Sequence, residues 1–99
     1  MDIGRVCGTI VSTKKDEKLR GGKLYVVRLL DMSGKETNDI VVALDTVGAG
    51  EGEVVIVVSG SSSRMTEMTR TAPVDAAIVA IVDELEVRDK IVYRKSDGV

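Results

Sequence analysis

The sequence has no histidine, phenylalanine or tryptophan, and only one cysteine, one proline and two tyrosines in 99 residues. Each shortage removes a class of chemistry. Without histidine there is no imidazole to act as a general base or to hold a metal near neutral pH. A lone cysteine, Cys7, can neither close an internal disulfide nor supply the paired ligands of a zinc site. It also lacks a base to make it a thiolate, so a buried, unreactive thiol is expected. Tyr25 and Tyr93 are too few for the stacking platform of a single-strand-binding barrel, and the formal charge of −2 gives no pull towards nucleic acid. No apolar run approaches the length of a membrane span. Met1 to Arg5 lacks the basic start and apolar stretch of a signal peptide, so the plain expectation is a soluble cytoplasmic protein.

Valine and isoleucine are abundant, 24 of 99 residues, and a core of small branched side chains favours sheet. Five stretches read as strands: Ile3 to Lys14, Lys23 to Leu30, Ile40 to Leu44, Val54 to Ser59, and about Ala77 to Leu85. The last also places Ile78, Ile81, Val82 and Leu85 at helical spacing; its short β-branched run and the need of the other strands for a partner favour strand. Gly4 and Gly8 suggest a bend or a close backbone neighbour, as at a barrel corner. Lys15 to Gly22 reads as an exposed loop and Asp31 to Asn38 as a polar turn. Ser61 to Arg64 reads as a helical turn, which Pro73 limits, with a further turn expected at Val74 to Ala76. This describes one all-β domain over residues 1–87, a five-stranded barrel of the oligonucleotide-binding type with one short helix. A charged tail follows at 88–99, whose Ile91-Val92-Tyr93 could dock on the rest.

Between the third and fourth strands lies Asp45-Thr-Val-Gly-Ala-Gly-Glu-Gly-Glu53. Its spacing, G-x-G-x-G, is neither the dinucleotide fingerprint nor a P-loop, a strand rather than a helix follows, and Glu51 and Glu53 would repel a phosphate. Alternating glycines between strands instead mark a tight connection in which at least one has positive φ. Asp45, Glu51, Glu53, Asp75 and Asp83 could in principle form an acid/base pair, but their spacing gives no support for it. Gly60-Ser-Ser-Ser-Arg64 lacks the nucleophile elbow and any partner His. The expectation is a non-enzyme with no cofactor and no metal. Ile40 to Leu44, Val54 to Val58 and Ile78 to Val82 do not alternate, so both of their faces want burial. A covering loop or tail would serve; a subunit interface is preferred because little chain remains to cover three strands, with Val54 to Val58 the leading candidate.

Asp45 to Glu53, Gly60 to Arg64 and Pro73 to Asp83 together resemble the EutN/CcmL family of bacterial microcompartment vertex proteins, and Ile3 to Lys14 and Leu19 to Val27 are similar to it as well. Ser63 departs from the usual Ala and Ala80 from a common Gly. The resemblance implies a homopentamer at the five-fold vertices of a protein shell in the bacterial cytoplasm, beside hexameric shell proteins, with no nucleic acid or membrane partner. It draws attention to the densest part of the motif as subunit interface or ring axis: Asp45, Val47, Gly48, Ala49, Gly50, Gly52, Glu53, Val55, Val57, Ser61 and Arg64. The alternative is an oligonucleotide-binding barrel acting on single strands; a small-molecule-binding enzyme subunit is weaker still.

Overall fold

Runs of β-branched residues recur through the strands, and Gly4 marks the tightest glycine approach between two of them. The computed structural model describes residues 1–11, 22–60 and 76–97. Within these, β1 (Asp2–Ile10), β2 (Leu24–Leu30), β3 (Glu36–Asp45), β4 (Val54–Ser59) and β5 (Ala76–Ile81) close a barrel in the order β1-β2-β3-β5-β4. All neighbours are antiparallel except β3 and β5, which pair in parallel. The barrel is filled by Val6, Val27, Ala43, Val55, Val57 and Ile78, mostly small branched residues as the composition requires, together with Tyr25. Gly4 sits where β1 meets Val27 and the Arg28 carbonyl of β2, with no room for a side chain.

Four expectations change. The chain leaves the barrel after Ile81, and the expected strand to Leu85 divides: β6 (Glu84–Val87) pairs with β7 (Lys90–Arg94) in a separate hairpin, followed by a short 3-10 turn, Lys95–Asp97. The divided pattern was present as Glu-Leu-Glu-Val and Lys-Ile-Val-Tyr-Arg around two residues, Arg88 and Asp89, both with positive φ. The third strand begins at Glu36 rather than Ile40, because pairing with β2 overrides the polar residues there. Cys7 is exposed, not buried. The β1–β2 register passes from Val6↔Val27 to Gly8↔Val26, leaving Cys7 as the extra residue of a bulge that turns it out of the ladder. Finally, Val54, Val55, Val57 and Val58 are all buried within the protomer, so the unbroken run of β4 is a strand covered on both faces. The readings of Lys15 to Gly21, Ser61 to Arg64 and Val74 to Asp75 lie outside the described residues.

Candidate functional site

The turn from Asp45 to Glu53 is built by carboxylates that bind backbone. Asp45, 8% exposed, accepts the Val47 and Ala49 N–H groups on Oδ1 at 3.1 and 3.2 Å. Glu53 Oε1 accepts the Gly50 N–H at 2.7 Å, and Gly48 and Gly52 adopt φ of 78° and 87°. Such positive angles are costly for any residue with a β-carbon, which is why glycines recur here. The folded turn is then fastened to the barrel. Tyr25 Oη donates to the Ala49 carbonyl at 2.9 Å in a buried position. Gly52 N–H donates to Val6 O at 2.8 Å, Val6 N–H to Glu53 O at 2.9 Å, and Arg5 Nη1 to Gly52 O at 2.7 Å. Thr9 Oγ1 donates to Glu51 Oε1 at 3.2 Å.

A clasp from the far end of the chain completes the arrangement. Lys95 Nζ lies 2.6 Å from Glu53 Oε2. The Lys95 ammonium, and after it the Gly50 N–H, holds the Glu53 carboxyl below the usual carboxylate range, and Glu53 in turn raises Lys95. Asp45, Glu51 and Glu53 are therefore all engaged in holding the turn. None is paired with another carboxylate in the way that acid/base work requires. Among the described residues there is also no cluster of His, Cys, Asp or Glu that could hold a metal.

The expected site residues separate into three groups. Asp45, Val47, Gly48, Ala49, Gly50, Gly52 and Glu53 come together in this turn; Val47, Gly48 and Gly52 are on its exposed side, while Ala49 is in the core. Val55 and Val57 face the barrel interior and offer nothing to a neighbour, a correction that follows from the closed barrel around them. Ser61 and Arg64 lie outside the described residues. Sequence reasoning missed the fasteners Tyr25, Arg5 and Lys95, which are 24, 47 and 42 residues from their partners. Among the exposed apolar residues, Val47 was an expected site residue and Ile40 and Val42 belong to a run expected to seek cover, whereas Ile10 was in no expected set.

Comparison with known proteins places this geometry in a family. The profile described as "Ethanolamine utilisation protein EutN/carboxysome" matches residues 1–83. The carboxysome shell vertex protein CcmL of Nostoc sp. is 45% identical over 98% of this chain and 97% of its own length. The structure of CcmL from Gloeobacter violaceus superposes with a TM-score of 0.92 at 38% identity, covering 98% of this chain and all of that one. The GrpN pentameric microcompartment shell protein from Rhodospirillum rubrum gives a TM-score of 0.77 at 47% identity, covering 88% of this chain and 98% of that one. A family match over residues 1–83 and a relative 45% identical over 98% of the chain agree: the chain belongs to the EutN/CcmL family.

Proposed function

We propose that this protein is a structural subunit that closes into a homopentamer and caps the five-fold vertices of a bacterial microcompartment shell in the cytoplasm, with hexameric shell proteins as neighbours. The observation that carries the reading is near-complete alignment with shell vertex proteins, one of them pentameric by its own description. A flat layer of six-fold units closes into a polyhedron only where five-fold units replace them, so the task is geometric. The residues suit that task. The carboxylates of the glycine turn are used in fixing backbone, which favours a rigid building unit over a catalyst. Both tyrosines are buried, which disfavours base stacking and with it the single-strand-binding alternative. Exposed Ile40 and Val42, 55% and 48% accessible, supply apolar surface for association in place of β4.

Native mass spectrometry of the full chain tests the reading. A closed pentamer at micromolar protomer concentration is expected. A monomer would defeat the association argument, and a stable dimer or hexamer would defeat the vertex assignment.

A further inference from the structure

The barrel closes through very little of β3. Only Leu44 and Asp45 pair with β5. From Glu36 to Ala43 the strand has β2 on one side and, among the described residues, no strand on the other. The phase of the ladder shows what faces that open side. Asp45 N–H donates to Lys23 O at 2.8 Å, so Asp45, Ala43 and Val41 turn their backbone groups towards β2. Val42 and Ile40 turn theirs away, and their side chains are also among the most exposed apolar ones. An unpaired edge with apolar side chains is a template for a strand from another chain. Lysine, proline and bulges usually blunt such an edge; the register from Ile40 to Leu44 is unbroken, and the segment Asn38-Asp-Ile-Val-Val42 carries a single charge, Asp39.

The same protomer presents a matching element elsewhere. Among the described residues β7 has β6 as its one strand partner, with its Val92 carbonyl close to Gly34 of the same protomer; it exposes Ile91 at 45%, and Arg88 and Lys90 lie at its turn. The β3 edge carries Asp39 and Glu36, the latter 3.9 Å from Arg28 of its own protomer, whereas the turn carries Arg88 and Lys90 on either side of Asp89, a net positive charge. Asp39 and Lys90 make no ion pair among the described residues. We propose that each protomer's β6–β7 hairpin lies along the open β3 edge of its neighbour, Ile91 against Ile40 and Val42, and Arg88 and Lys90 against Asp39 and Glu36. The contact joins two different surfaces, the head-to-tail arrangement that a cyclic ring needs, and in that sense the inference rests on the proposed pentamer. It assigns the C-terminal hairpin a role as the intersubunit strap.

Two experiments on the full chain test it. Asp39→Lys and Lys90→Asp are compared singly and together by native mass spectrometry at fixed protomer concentration. Each single change sets like charges against each other and should weaken the ring by about tenfold or more; the double change should restore most of the loss. In a Cys7→Ser background, Val42→Cys with Ile91→Cys should give, under mild oxidant, a covalent ladder ending at five chains, while either cysteine alone gives at most dimers. Circular dichroism confirms that the variants fold. Rings untouched by both single charge changes, no rescue in the double variant, or no ladder beyond dimers would overturn this contact while leaving the pentamer standing. A wild type that forms no ring would overturn the proposed function and this contact together.

Discussion

Replacing Gly4 by alanine is the sharpest test of how β1 and β2 pack. Gly4 is buried opposite Leu29 on β2. A β-carbon there would overlap Val27 Cγ1 and come within 2.8 Å of the Arg28 carbonyl oxygen and 3.3 Å of its carbon. Val27 is fully buried in the barrel core, so its methyl group has nowhere to go. The carbonyl belongs to a strand paired on both sides and can retreat only if β2 moves. Overpacking of this kind costs about 1–3 kcal/mol, and two obstacles, one of them backbone, put Gly4→Ala near the upper end. The restricted unfolded chain returns about 0.4–1 kcal/mol, leaving a net loss of about 2 kcal/mol. For a domain of this size that is a fall in Tm of roughly 8–16 °C. Gly8→Ala is the control: its nearest neighbours, Val26 Cβ and Cγ2, are at 3.7 and 3.8 Å, ordinary contact distances. It should leave Tm unchanged or raise it by a few degrees. Thermal unfolding followed by circular dichroism, at one protomer concentration because association shifts Tm, decides the matter. A Gly4→Ala protein melting within about 2 °C of wild type, or a Gly8→Ala protein falling as far, would refute the reasoning.

Other perturbations read the glycine turn. Gly52→Ala has open space around it but φ of 87°, so it should cost about 1–2 kcal/mol from backbone strain alone; Gly50→Ala, in ordinary contact with Glu53 at 3.6 Å, should cost much less when the two are compared by urea midpoint. Tyr25→Phe removes the buried donor to Ala49 O and should lower stability by about 1–2 kcal/mol in the same assay. The Glu53–Lys95 clasp has a defined pH window. Because the folded Glu53 carboxyl is lowered, its contribution is full above the ordinary carboxylate value and is lost as pH falls through the lower folded value. Because Lys95 is raised, its contribution is full below the ordinary lysine value and is lost as pH rises through the higher folded one. The midpoint difference between wild type and Glu53→Gln should therefore be flat across the neutral range and shrink towards both extremes. A difference that grew on acidification would contradict the contact.

The barrel was legible because its signals are local and repeated. Branched runs separated by glycine and polar clusters gave four of the five barrel strands to within a few residues, and the alternating glycines gave two positive φ angles, at Gly48 and Gly52. The stretch from Ala77 to Leu85 was harder because Leu85 and Val87 carry the apolar pattern on past Asp83 and Glu84, where the chain changes partner. Ile81 still pairs with Val55 in the barrel, whereas Leu85 pairs with Tyr93 in the hairpin. Cys7 was misplaced for a related reason. Its neighbours Val6 and Gly8 are ladder residues; Gly8 marks an irregularity, but not which residue the register shift leaves unpaired. The fasteners of the turn were invisible for a third reason, since Arg5, Tyr25 and Lys95 reach it only through the closed topology.

The most instructive difference concerns the apolar runs themselves. Val54-Val-Ile-Val-Val58 is the most hydrophobic segment of the chain, and its lack of alternation predicts a face awaiting a partner. β4, however, lies between β1 and β5, with Val55 and Val57 in the barrel and Val54 and Val58 also buried, so the protomer already satisfies both faces. Ile40-Val-Val-Ala-Leu44 has the same pattern and a different fate. Its last residues close the barrel against β5, while Ile40 and Val42 stay exposed beside an edge that no strand covers among the described residues. Continuous hydrophobicity thus reports that both faces are apolar, and only topology reports whether the chain can cover them itself.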